Sequence, residues 1–407
     1  EMINGDWSSD VCSSDLQDKN RRRRDMTDNR YRRLPVGIQS FKVIREENYL
    51  YVDKSDIVWN MVNLGDKYNY LSRPRRFGKS VLVDTLESYL EGRKDLFEGL
   101  KIMQMEKDWK QYPVIRLDMS RGGANEETLR SYLNLRFKDY EEKYNITPDP
   151  TAMLADRFHA IIATAYKQTG LRVAILIDEY DSPLQHSWRT PEHEKCTGVY
   201  REVFAILKAD DEYEHFVFIT GITKFTQLSL FSVLNNLSNI SFTPEYAAIC
   251  GITEEEIEEN FMPEIRQMSE ANNWSVQETH DRLKAYYDGY HFSDDNMVDI
   301  YNPYSIFYAL KQRKIKNFWA SSGATSLLPK FVDNAELRLS NFENIRIMRN
   351  TLELSDVSGG GAELFLYQSG YLTIKDSDEF GYILGFPNEE VKQALYEYYG
   401  EDLTAGR

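Results

Sequence analysis

The sequence predicts an α/β fold: a parallel β-sheet covered by helices on both faces, then a helical segment and a small helix-plus-hairpin module. Three observations predict it. Apolar β runs alternate with helical stretches between residues 48 and 223, the pattern of a sheet buried on both faces. A short β run at 68–72, the loop "RPRRFGKS" and the helical "SVLVDTLESYLEG" (80–92) follow in the order strand, loop, helix, which is the setting a phosphate-binding loop requires. A wholly apolar strand ends in an acidic pair in "AILIDE" (174–179).

The elements are predicted in order as follows. "NYLYVDKSD" (48–56) reads as a short strand and turn, and "IVWNMVNLG" (57–65) as a helix. After the loop and its helix, "PVIRLDMS" (113–120) is a second strand and 125–144 a helix. A long helix at 151–168 leads to the strand "RVAILIDEYD" (172–181). A helix around 196–209 and the strand "HFVFITGIT" (215–223) complete the sheet. The stretch 251–292 alternates helical segments, and its acidic run at 254–259 suits a solvated helix start, where carboxylates favour the helix dipole. "YNPYSIFYALKQRKI" (301–315) opens on Asn-Pro, a helix start. The last stretch predicts a helix, a turn at Gly370, a hairpin through "YLTIK" and "GYILGF", and a helix capped by Asn388. Glycines 359–361 mark a turn before it. The resulting division is an ATPase-type core at 26–245, a helical lid at 246–330 and a small winged-helix-like module at 331–407.

Composition narrows the class. The chain has 407 residues, 42% of them apolar and 13% aromatic, enough for a sizeable core. A net charge of −16 disfavours a surface built for non-specific nucleic-acid binding. Cys12, Cys196 and Cys250 are scattered and odd in number, which fits a reducing cytoplasm rather than a disulfide framework. Apolar runs such as "VAILI" (173–177) are far too short to span a bilayer. Residues 1–25, with "WSSDVCSSDL" and "NRRRRD", have no periodicity and resemble a translated sequencing adapter, so they are set aside from fold reasoning. Met26 reads as the natural start.

The chemistry concentrates in two places. In a phosphate loop, backbone N–H groups and a helix N-terminus hold anionic oxygens. Gly78 permits close backbone approach, Lys79 reaches the β- and γ-phosphates, and the Ser80 hydroxyl ligates Mg²⁺. Asp178 supplies the acidic group of the Mg²⁺ shell, and Glu179 stands where a residue orients or deprotonates the attacking water. The expected ligands are therefore ATP and Mg²⁺, in a P-loop NTPase. The extra strand at 113–118, between the loop and the Asp-Glu pair in chain order, points to the additional-strand type. Thr220 and Thr223 are candidate γ-phosphate sensors, with Lys224 as added charge; a strand-end hydroxyl capping a turn is the structural alternative. One departure stands out: the usual loop is G-x-x-x-x-G-K-[ST], and Arg73 occupies the first glycine's place.

The strings "LPVGIQSF", "YLYVDKSD", "SRPRRFGKS", "ILIDEYDSPL", "TGITKFTQLSLFSVLNNLSNI", "YYDGYHFS", "YNPYSI", "LYQSGYLTIK" and "LGFPNEEV" occur in this order from about residue 34 to the end. Together they resemble the bacterial AAA-ATPase-like family, often found with a C-terminal nuclease-like domain of the PD-(D/E)xK superfamily. The resemblance implies a loop of the form R-P-R-R-F-G-K-[ST], so Arg73 matches a family pattern. It places Arg73, Pro74, Arg75, Arg76 and Phe77 in the nucleotide loop, the arginines as phosphate contacts or partners of acidic neighbours, Phe77 as packing. Glu390-Val391-Lys392 and Glu141-Glu142-Lys143 match E-x-K but on helices, so no nuclease activity is expected from this chain, which is read as stopping short of the nuclease-like domain.

Two functions follow. One is a Mg²⁺-dependent ATPase that powers or gates that effector, reaching nucleic acid through it. The other is a slow nucleotide-gated switch controlling assembly. A homo-oligomer is possible, and "SLFSVLNNL" (229–237) carries either oligomer contacts or core packing. No membrane partner is expected.

Overall fold

The computed structural model describes residues 33–149, 151–225, 237–321, 328, 342–354 and 361–405. The adapter-like segment, residues 359–360 and all but the last residue of 229–237 lie outside these. Five parallel strands form the central sheet: β1 (Tyr68–Ser72), β2 (Val114–Asp118), β3 (Val173–Asp178), β4 (Glu214–Gly221) and β5 (Ser238–Asn239), in the order β2-β3-β4-β1-β5. All six residues of β3 are buried, as an unbroken apolar run covered on both faces should be. This is the α/β architecture the sequence predicts.

The extra strand needs one correction. The stretch at 113–118 falls between the loop and the acidic pair in chain order, but in the sheet β2 is the outer strand beyond β3. The strand inserted between loop strand and acidic strand is β4.

The helices α1 (Phe41–Glu46), α2 (Ser55–Asn63) and α3 (Lys79–Leu90) precede β2, and α4 (Glu126–Lys143) and α5 (Leu154–Thr169) link β2 to β3. Between β3 and β4 come α6 (Ser182–Ser187) and α7 (Glu192–Ala209). The predicted strand at 48–56 is not formed. Tyr49 makes a single parallel bridge to Arg33, and the Asp53 carboxylate accepts from Ser55 N (2.9 Å) and Lys101 N (2.7 Å), turning the chain into α2 instead.

A second core follows the sheet. Helices α8 (Glu254–Asn272), α9 (Val276–Tyr287) and α10 (Pro303–Gln312) enclose Ile257, Phe261, Ile265, Met268, Leu283 and Ile306. Helix α8 starts on a reciprocal cap: Thr253 accepts from Glu256 N while the Glu256 carboxylate accepts from Thr253 N. Asn302 caps α10 with Pro303 in its first turn. The C-terminal part holds α11 (Gly361–Ser369), the predicted hairpin β7 (Thr373–Asp378) and β8 (Gly381–Gly385), and α12 (Glu389–Ala405), whose Val391 N–H donates to Asn388. A further strand, β6 (Ile345–Met348), pairs with β8. Its burial alternates, but over only four residues, too short a run to stand out in the sequence. Among the described residues no helix is long and apolar enough to cross a membrane.

Candidate nucleotide site

The loop between β1 and α3 turns on two left-handed residues, Arg76 (φ 71) and Gly78 (φ 88), before the helix opens at Lys79. Gly78 carries the conformation without strain. Lys79 is buried, and its ammonium donates to the carbonyls of Arg73 and Pro74, both at 2.9 Å. Burial pulls the Lys79 pKa down, while Glu179 and Asp178 hold it up.

Asp178 ends β3, adjacent in the sheet to β4 and one strand away from the loop. It is buried and accepts from Glu179 N at 2.9 Å, and the Ser80 side chain is among the groups that hold its carboxyl down. Ser80 and Asp178 thus form an all-oxygen donor pair, the kind Mg²⁺ prefers. Burial pushes the Asp178 and Glu179 carboxyls up, against the pull of Lys79 on both. Glu179 sits at φ 47, a conformation costing a non-glycine residue about 1–2 kcal/mol. The turn is pinned by Tyr180 N–H on the Thr220 carbonyl (3.0 Å), and Glu179 lines the cavity beside the loop.

That cavity has a volume of about 460 Å³. Its lining combines Gly78, Lys79, Ser80, Glu179, Arg75 and Arg76 with the apolar side chains of Ile38, Leu50, Val52, Ile252 and Phe307. Arg76 lies over the Tyr304 ring, 4.9 Å from its centroid. Phe77, also on the wall, is fully packed edge-on against Tyr290 and Phe292, at 4.7 and 5.4 Å.

Not every predicted residue joins this cluster. The Arg73 guanidinium is buried behind the loop and bonds the carbonyls of Ser241 and Tyr246, each at 2.9 Å. Burial lowers its pKa to about 10, so it stays charged at neutral pH. Pro74 likewise packs behind the loop, against Gly370. The Thr220 hydroxyl donates to Leu71 O at 2.8 Å, and that of Thr223 to the Asp181 carboxylate at 2.6 Å. Lys224 reaches Glu353 O at 2.8 Å. These five side chains therefore serve the scaffold in this structure, the alternative weighed for the threonines.

Sequence reasoning missed several wall residues: Lys54, Ser120, Ser182, His186 and Cys250. Ser182 was within reach, because it follows the acidic "DEYD" directly. Asp181 was missed too; it is a buried clasp, taking hydrogen bonds from Ile222 N, Thr223 N and the Gln185 amide. Lys54 pairs with Glu256 at 2.7 Å, joining α2 to α8 at the cavity edge.

Comparison with known proteins matches this arrangement. A model of predicted AAA-ATPases matches residues 35–231. An uncharacterized protein in the vnfD 5′ region of Azotobacter chroococcum mcd 1 is 32% identical over 375 residues, covering 90% of this chain and 69% of that protein. Among solved structures, the Aeropyrum pernix ORC1 protein in complex with DNA is 13% identical with a TM-score of 0.29, covering 84% of this chain and 89% of that one. Cdc6p from Pyrobaculum aerophilum is 12% identical with a TM-score of 0.31, covering 93% and 97%. Likenesses of that order carry no functional argument. The family model over 35–231 and the long match at 32% identity together decide: the chain belongs to the predicted AAA-ATPase family.

Proposed function

We propose that this chain binds ATP with Mg²⁺ in the cavity and hydrolyses its terminal phosphoanhydride. The observation that carries the reading is that Lys79, Ser80 and Glu179 all line one cavity of about 460 Å³, with Asp178 beside Glu179 at the end of β3. The apolar side chains of that lining suit a purine base. The start of α3 offers its N–H groups to the phosphates. Lys79, resting on two loop carbonyls, would exchange them for β- and γ-phosphate oxygens. Mg²⁺ held by Ser80 and Asp178 would offset phosphate charge. Glu179 would take a proton from water as the water oxygen bonds to the γ-phosphorus and the β–γ bridging bond breaks, releasing ADP. A carboxyl pushed up by burial is a better base for that transfer.

On this reading, nucleotide turnover gates a nuclease-like effector, with nucleic acid reached through it, in a bacterial cytoplasm. A second reading, a slow nucleotide-gated switch, draws on a specific observation. The hydroxyls of Thr220 and Thr223 are both spent on the scaffold, leaving neither turned toward a γ-phosphate.

The test is Mg-ATP binding and phosphate release by the full chain beside Lys79→Ala and Glu179→Gln. The ATPase reading expects turnover lost in both, with Glu179→Gln still binding ATP. Binding without turnover in the native chain favours the switch. No binding at all refutes both.

A further inference from the structure

We propose that Arg73 is a positioning residue: facing away from the cavity, it rivets the phosphate loop to the chain segments behind it and so holds the loop in binding shape. This rests on the cavity being the nucleotide site. The position is the one where the usual loop has glycine, and the structure gives Arg73 a task no glycine could perform.

Its backbone N–H continues the β1–β4 ladder by donating to Gly221 O at 3.2 Å. One terminal nitrogen bonds Ser72 O (2.8 Å) and Ser241 O (2.9 Å), and the other bonds Tyr246 O (2.9 Å). The guanidinium carbon lies 4.1 Å from the centre of the Phe292 ring. Among the described residues no carboxylate pairs with it, so carbonyl dipoles and a π face are what stabilise the buried charge. Arginine is suited to this, because its planar fork satisfies separate carbonyls while stacking; a lysine ammonium cannot do both.

Neighbouring residues fix the loop at the same back surface. Gly251 N–H donates to the Phe77 carbonyl at 3.2 Å. Tyr290, against which Phe77 packs, donates to Gly370 O at 3.1 Å. Pro74 fills the space beside Gly370 so closely that a Cβ there would stand 2.7 Å from the Pro74 Cβ. The Arg73 and Pro74 carbonyls, which hold Lys79, thus belong to residues anchored from behind. Loop and back surface form one body, with Arg73 at its centre.

The counterintuitive consequence is that Arg73→Gly, which writes the standard G-x-x-x-x-G-K-S pattern, weakens the site. We would measure binding of fluorescent ATP and ADP to the full chain, together with amide hydrogen exchange without nucleotide. Arg73→Gly should lose affinity for ATP and ADP by the same factor, on the order of ten- to a hundredfold for lost charge-assisted hydrogen bonds. Exchange should rise in 241–251 as well as in the loop, while the β3 core stays protected. Arg73→Lys should show the same pattern more weakly, and it serves if the glycine variant fails to fold. Loss confined to ATP would mean direct γ-phosphate contact and would overturn the proposal. So would unchanged or tighter binding, or unchanged exchange at 241–251. If the native chain binds neither nucleotide, the site reading fails, while the exchange arm still decides whether Arg73 is the rivet.

Discussion

Replacing Asp181 with alanine tests how the acidic turn is built. Asp181 Oδ2 accepts from Ile222 N at 3.0 Å, from Thr223 N at 2.6 Å and from the Thr223 hydroxyl at 2.6 Å, and it also takes the Gln185 amide. Asp181 and Thr223 are essentially inaccessible to water. Alanine would strand two backbone N–H groups, each costing about 1–3 kcal/mol when buried without a partner. The Thr223 hydroxyl can rotate, and it keeps the Gln185 amide donating to it at 2.9 Å, so it adds little. Relief from no longer burying a carboxylate offsets part of the loss. A net destabilisation of about 3 kcal/mol is expected. Urea unfolding followed by tryptophan fluorescence measures it, with Trp188 at the end of α6 as a nearby reporter. Hydrogen exchange should rise first at 222–225. A loss under about 1 kcal/mol, or exchange unchanged at 222–225, would refute the idea that this carboxylate is the clasp holding the β4 end against the Glu179 turn.

Two further outcomes are expected. Glu214 is fully buried, accepts from Tyr68 at 2.6 Å, and is pushed up by burial from 4.5 to about 8. Folding therefore binds a proton between the two values, where the unfolded carboxyl is ionised and the folded one is not; this stabilisation is complete below about pH 4 and declines, by at most about 1.4 kcal/mol per unit, until pH passes about 8. Glu214→Gln should flatten that decline in urea titrations at several pH values, and an identical slope in the variant would dismiss the assignment. Gly370→Ala puts a Cβ 2.7 Å from Pro74 at φ +90, so left-handed strain and overlap together should cost about 2–4 kcal/mol. Hydrogen exchange in 73–80 should rise with it; a destabilised protein with an undisturbed loop would mean that the two are not coupled.

The fold was legible where local pattern and tertiary role coincide. β3 reads as a buried strand because every one of its residues is apolar until Asp178, and all are buried. The start of helix α8 was legible in the acidic run at 254–259, whose first three glutamates form its first turn. The predicted strand at 48–56 failed because, among the described residues, its β-type residues have no neighbouring strand, while Asp53 offers local hydrogen bonds that bend the chain. Strand β6 was missed for the converse reason: it is four residues long, and its partner lies about 35 residues away.

The site divides along the same line. Gly78, Lys79, Ser80, Asp178 and Glu179 act through short spacings and strand ends, which a sequence displays. Arg73 acts through carbonyls 168 and 173 residues further along the chain, so spacing says nothing about where its guanidinium goes. Charge beside a phosphate loop suggests a phosphate contact, and that inference is sound only while the side chain is free to choose. Here the choice is made by what closes the back of the loop. The Ser241 and Tyr246 carbonyls accept from the guanidinium, and the Phe292 ring offers a face for a cation. Those contacts occupy the guanidinium, and on the proposed reading Lys79 and the start of α3 would address the phosphates instead. The missing glycine is thus a trade of turn flexibility for an anchor, and a loop anchored from behind keeps its shape before any nucleotide arrives.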